Sequence, residues 1–277
     1  MRRLVLILFL AVLAGVSAAA LGASVMHTRT ASSGATAATL TWRTNGSSAA
    51  LMPYSDVRLA IRRGGSVLLD RRVDALLCGT LCWPGFATGA ATLAVRDVER
   101  DGSPDVMVSL FSGGAHCCYI EQVYRYDPGT QTYAVVQRLF GDPPARLATI
   151  AGASVFVSAD DRFAYRFAAF AFSGLPIQIW SIASGRFLDV TRRYPAHVAA
   201  DAKRWWKLFR ANIRQHLGDG ALAAWAADEE LLGRGAAMRR TLTAQERLGT
   251  LGNDGGGPGG AAFIRALERF LARTGYS

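Results

Sequence analysis

The chain has 277 residues, a formal charge of +10 at neutral pH, 51% hydrophobic residues and only four cysteines. A charge of this size suits contact with the anionic polymers of a cell envelope. No nucleic-acid-binding motif accompanies it, and nucleic acid is therefore set aside as a partner.

The opening stretch reads as an export signal. Arg2 and Arg3 form a basic n-region, Leu4 to Val16 an apolar core, and Val16-Ser17-Ala18 or Ala18-Ala19-Ala20 a cleavage site. Residues 1–20 are expected as a signal peptide and residues 21–37 as a Ser/Thr/Ala-rich linker. The mature chain, about +8 once Arg2 and Arg3 are lost (10 − 2 = 8), is then secreted or extracytoplasmic. The alternative is an uncleaved N-terminal anchor, because Leu4 to Met26 is almost long enough to span a bilayer. No later run approaches 18 apolar residues, so membrane contact is expected through the signal segment alone.

Residues 38–195 are expected as an antiparallel β domain. "ATLTWRT" and "DVRLAIRRGGSVLLDRRV" alternate apolar and polar residues, with Gly64-Gly65 placed as a hairpin turn. Further strands are expected at "TLAVRDV", "DVMVSLF", "YIEQVYRYD", "TYAVVQRLF", "ASVFVSA", "RFAYRFAAFAF", "IQIWSI" and "RFLDVTRR". Asp127-Pro128-Gly129, Asp142-Pro143-Pro144 and Ser184-Gly185 supply turns between them.

Cys78 and Cys82 lie in "LLCGTLCWPG"; Cys117 and Cys118 lie in "FSGGAHCCY". In an exported chain an even number of cysteines reads first as disulfides, and three pairings are open. A vicinal bridge closes a strained ring, so bridges between the two loops are favoured. Each would close about 40 residues and contribute roughly 4 kcal/mol. A zinc site using His116 would need free thiolates, and a redox centre would want C-x-x-C. His116 reads as a structural histidine.

The motif with the most chemistry is "VRDVERDGSPDVMV". Asp97, Glu99, Asp101 and Asp105 fall at positions 1, 3, 5 and 9 of a short loop, Gly102 permits a sharp turn, and the Ser103 carbonyl adds an oxygen. Alternate oxygens converging on one point are what calcium asks for. The spacing resembles the calcium loops of FG-GAP and VCBS-type repeats of integrin-like β-propellers, D-x-D-x-D-G-x-x-D, with Glu99 where Asp is usual. The resemblance covers about one repeat, Thr92 to Tyr126. It extends to uncharacterised secreted bacterial proteins in which such a loop runs into Ser-Gly-Gly-Ala-His-Cys-Cys, a family with no assigned activity. It implies calcium as cofactor and a partial propeller or another antiparallel β fold. A second "FSG", Phe172 to Gly174, follows Phe111 to Gly113 at a separation of 61 residues, about one blade.

From Tyr194-Pro195 the period changes. Val198, Ala202, Trp205, Trp206, Phe209, Ile213 and Leu217 recur at helical spacing, opposite Lys203, Arg204, Lys207, Arg210 and Arg214. Further helices are expected through "ALAAWAADEELL", "AAMRRTLTAQERL" and a last one ending at Gly275, so residues 196–277 form a helical region. Its apolar faces are expected to pack on the β domain and on one another rather than on a membrane.

No G-x-S-x-G, H-E-x-x-H, P-loop or dinucleotide fingerprint is present. Asp160, Asp161, Asp189 and Asp228 offer carboxylates, but no spacing selects a glycosidase pair. Asp160-Asp161 reads as a turn with Arg162 paired nearby, and Asp228-Glu229-Glu230 as a solvated helix face. The reading is a calcium-stabilised, disulfide-stapled binding or structural module. Its partner is an unknown extracellular ligand, an anionic envelope polymer or a protein. The alternative is a secreted cell-envelope hydrolase.

Overall fold

The computed structural model describes residues 24–44, 54–85, 92–252 and 258–277. The signal segment expected over residues 1–20 lies outside them. Among the described residues, three antiparallel sheets follow one another and a helical region closes the chain.

The first sheet runs β1 (Val25–Ser33), β2 (Thr36–Thr44), β3 (Tyr54–Arg63) and β4 (Ser66–Arg72) in spatial order. β1 corrects the linker expected at 21–37. Its nine residues pair one-to-one with β2, from Val25 opposite Thr44 to Ser33 opposite Thr36. It is an edge strand with no buried side chain, so no apolar alternation marks it in the sequence. Gly64 and Gly65 turn the β3–β4 hairpin with φ of 55° and 87°, both positive as a type I′ turn requires.

The second sheet contains β5 (Trp83–Pro84), β6 (Leu93–Arg96), β7 (Asp105–Gly114), β8 (Cys117–Asp127) and β9 (Thr132–Gly141). β5 and β6 both pair with β7. This sheet is covered on both faces. Val106, Val108, Leu110, Ile120 and Tyr124 pack on Leu40, Leu59 and Ile61 of the first sheet. Met107, Val123, Val136 and Phe140 pack on Phe156 and Trp180 of the third. Two covered faces explain why "DVMVSLF" is almost continuously apolar instead of alternating.

The third sheet runs β10 (Arg146–Ile150), β11 (Ala153–Ala159), β12 (Ile177–Ala183) and β13 (Arg186–Asp189). Three successive up-and-down meanders therefore stack face to face, each of the kind a propeller blade uses. Among the described residues they do not close into a ring or barrel. The strand expected at "RFAYRFAAFAF" is a further correction. The segment forms 3₁₀ turns at Asp161–Phe163 and Phe170–Phe172, and its Phe163 and Phe167 enter the helical core. Phe163, Phe167 and Phe170 are spaced by four and three, a helical period rather than the two of a strand. The two "FSG" copies consequently differ in structure: the first lies at the end of β7 and the second starts on the last residue of a 3₁₀ turn.

The helices are α1 (Pro195–Asn212), α2 (Asp219–Leu231), α3 (Gly235–Arg247) and α4 (Gly260–Thr274). Pro195 opens the first, where its missing N–H costs nothing, and Gly275 closes the last at φ 83°. α2 is buried from Asp219 to Asp228, and its alanines let neighbours approach closely. Trp205, Phe209, Phe263, Leu267 and Phe270 pack together with Phe163 and Phe167, and Ile213 packs against them. The Arg192 guanidinium joins the two regions, donating to the carbonyls of Glu230, Leu231, Gly275 and Tyr276 just where α2 and α4 end. No described helix is long and apolar enough to cross a membrane.

Candidate functional site: a cleft at the meeting of three sheet edges

Stacking three meanders brings their leading strands to one side. β1, β6 and β10 line an open cleft of about 920 Å³, together with residues of β7, β8 and the 97–105 loop. At its mouth stand the exposed Arg96, Arg100 and Arg146, with Asp97. Arg100, held in the left-handed region at φ 61°, reaches across and donates to the Gly152 carbonyl of the β10–β11 turn.

The floor is polar. Ser109 on β7 and Glu121 on β8 are direct cross-strand partners on the face toward the third sheet. The Ser109 hydroxyl donates to Glu121 Oε2 at 2.7 Å. Glu121 Oε1 is buried and has no hydrogen-bond partner among the described residues. Opposite Glu121 on β9 is Arg138, but its guanidinium lies over the Trp180 ring, 3.1 Å from the centroid, and forms no ion pair with Glu121 among the described residues. Burial therefore dominates, and the Glu121 carboxyl is pushed up to about 8, with the Ser109 hydrogen bond opposing. At neutral pH the floor holds a protonated, half-satisfied carboxylic acid. Behind it is a void of about 10 Å³, at the lower bound for one water. Sequence reasoning missed both floor residues. The available signal was a glutamate inside "YIEQVYRY", a strand with apolar neighbours on both faces.

The acidic loop folds as a self-capped turn. Asp97 Oδ1 and Oδ2 accept from the backbone N–H of Asp101 and Gly102 at 3.0 and 2.9 Å, and Asp101 Oδ1 accepts from Ser103 N–H at 2.8 Å. Gly102 takes φ 86°, as the spacing requires. Glu99 turns away and pairs with Arg125. Asp105 is 3% exposed and ties the loop to β8 by accepting from Val98 and Tyr126 N–H at 3.1 and 3.2 Å. Burial, against those two bonds, raises it to about 6. Among the described residues, no three His, Cys, Asp or Glu side chains are gathered as a metal-ligand set. Glu99 and Asp105 face other partners, so the four carboxylates do not converge on one point in this arrangement.

The cysteines pair locally. Cys78 lies against Cys82 with Cα atoms 5.1 Å apart, within the disulfide range, and Cys117 lies against its neighbour Cys118. This differs from the bridges between loops favoured by the sequence; each pair sits at its own turn, the second within the β7–β8 hairpin. Gly113 there takes φ 87°, and an added Cβ would meet the Trp83 ring at 2.7 Å, so glycine is required for both conformation and space. His116 is an exposed hairpin-tip residue whose ring packs on Phe170, 3.9 Å between centroids.

Asp160, Asp161 and Asp189 are tied into the fold. Asp160 caps the 3₁₀ turn and binds Arg162 at 2.6 Å, and the Tyr276 hydroxyl donates to it at 2.8 Å. Asp161 accepts from Asp142 N–H, and Asp189 accepts from the Thr191 hydroxyl and N–H. Asp228 corrects the solvated face expected of it. It is fully buried on α2, and burial first and the neighbouring Asp201 second push it up to about 10. Glu229 and Glu230 pair with Arg234 and Arg239. A second cavity, about 330 Å³, lies at the joint between β12, β13 and the helices. Of its arginines, Arg162 and Arg192 are engaged in the contacts above, and Arg193 is exposed.

No family model matches the chain, so the likeness to FG-GAP and VCBS repeats rests on the loop alone. No solved structure matches it either. A probable thylakoid lumen protein of Synechocystis sp. is 28% identical over 164 residues, covering 52% of this chain and 44% of that protein. The chain thus matches less than half of that relative's length.

Proposed function

We propose that this chain is an extracytoplasmic binding module whose ligand occupies the cleft between β1, β6 and β10. The observation that carries this is the half-satisfied Glu121 carboxyl at the cleft floor. A buried polar group without a partner is a stability cost of about 1–3 kcal/mol, and such costs concentrate at functional sites. An extracytoplasmic place is supported by the signal-like opening stretch and by the likeness to a probable lumen protein. The hydrolase alternative is less well supported. Glu121, protonated at pH 7, cannot accept the Ser109 proton, and Asp97, also at the cleft, has both oxygens committed to its own loop.

A thermal-shift screen of small polar compounds against the full chain and Ser32→Trp, which fills the mouth from exposed β1, tests the site. Compounds are expected to raise the Tm of the parent chain and not of the variant. Every stabilising compound acting equally on both would remove the cleft from the account.

Calcium at the 97–105 loop is a second proposal, favoured by the way Asp97 folds the turn around Gly102 and leaves Asp101 exposed. Binding would draw Glu99 from Arg125. Calcium held only by the folded loop raises the Tm, and Asp101→Ala removes the rise. An identical Tm in calcium and in chelator withdraws the proposal.

A further inference from the structure

We propose that the cleft binds a phosphorylated small molecule, with the phosphate against Arg96, Arg100 and Arg146 at the mouth and an acceptor oxygen of the body on the Glu121 carboxyl at the floor. This rests on the cleft being the binding site, and adds the chemistry of its ligand.

The charged and titratable groups lining the cleft are Arg96, Asp97, Arg100, Glu121 and Arg146; β1 contributes Ala31, Ser32 and Ser33, none of them charged. With Glu121 neutral, three guanidinium groups and one carboxylate leave a charge of +2 (3 − 1 = 2). Asp97 accepts from its own loop N–H groups and forms no ion pair with these arginines among the described residues. A phosphate monoester carries about −1.5 to −2 at neutral pH, and guanidinium forks match its oxygens. Arg100 is held in place by its bond to the Gly152 carbonyl.

The floor asks for a different group. A protonated carboxyl has one O–H to donate, Ser109 donates to it and does not accept that proton through the same bond, and Oε1 is unpartnered. A hydroxyl, ring oxygen or carbonyl on the ligand body would satisfy it. The volume agrees with a two-part ligand. About 920 Å³ lies at the upper end of small-molecule sites and far exceeds a bare phosphate.

The test is calorimetric titration of the full chain with glucose 6-phosphate, inorganic phosphate, glucose and citrate. The variants are the double Arg96→Gln/Arg146→Gln, Glu121→Leu, and a control double on exposed α4 residues, Arg269→Gln/Arg273→Gln. Glucose 6-phosphate is expected to bind at least tenfold tighter than inorganic phosphate. The cleft arginine double should weaken both phosphates at least tenfold, while the α4 double leaves them unchanged. Glu121→Leu should weaken glucose 6-phosphate and spare inorganic phosphate. Citrate or glucose binding as tightly as glucose 6-phosphate, with the same dependence on cleft residues, overturns the phosphate assignment and leaves the cleft standing. Phosphate binding that the cleft variants do not change, or no binding by either phosphate, overturns the proposal outright. The cleft reading itself falls only if the Ser32→Trp comparison also fails.

Discussion

Phe209→Ala is expected to cost the full chain about 3–5 kcal/mol, the range for a buried aromatic truncated to alanine. Phe209 is fully buried in α1, and its ring meets Trp206 at 5.3 Å between centroids. It also closes on Gly218 at the turn into α2, where an added Cβ would stand 2.7 Å from Phe209 Cδ2. The surroundings are already interlocked by α2 and α4, so collapse into the vacated space is limited. The same core takes in Phe163 and Phe167 from the segment between β11 and β12, which couples the helices to the sheets. Since whole domains are stable by only about 5–15 kcal/mol, the variant should lose a large part of its folding free energy. Equilibrium denaturation of the full chain reads this out. A loss under 1 kcal/mol would mean that the helices do not form this core.

The second large effect is on pH dependence. Glu121 titrates near 8 in the folded chain against an ordinary 4.5, so the folded state holds the proton more tightly. Below 4.5 both states are protonated, and its contribution is complete. Between 4.5 and 8 the folded chain carries the extra proton, so stability falls as pH rises, and above 8 the loss is complete. The total is on the order of 5 kcal/mol. Asp105 and Asp228, also raised, add slopes of the same sign, so the informative comparison is with Glu121→Gln, which keeps shape and cannot ionise. The variant is expected to lose much less stability than the parent between pH 5 and pH 9. Equal slopes in the two proteins would show that Glu121 does not titrate there.

Local chemistry made much of the fold legible. Alternation marks β2 and β3, Gly64-Gly65 the β3–β4 hairpin turn, Asp127-Pro128-Gly129 the β8–β9 turn, and Tyr194-Pro195 the start of the helices. β1 escaped because an exposed edge strand need not alternate. The acidic loop appeared as a turn, but spacing alone does not say whether a carboxylate meets a cation, a backbone N–H or an arginine. Asp105 and Glu99 take the last two. Asp228 reads as surface because charged residues usually are; its burial comes from the packing of α1 against α2. The candidate site was the least legible part. Its lining comes from β1, β6, β7, β8 and β10, strands far apart in sequence that meet only when three sheets stack.

The claim beneath the cleft, its ligand and its pH dependence is one buried, protonated carboxyl. Carbon-13 NMR of the Glu121 side-chain carboxyl, assigned by its disappearance in Glu121→Gln and followed from pH 4 to pH 10, measures it directly. A midpoint near 8 is expected. A midpoint near 4.5 would place that carboxylate in water or against a cation, and would contradict the site described here.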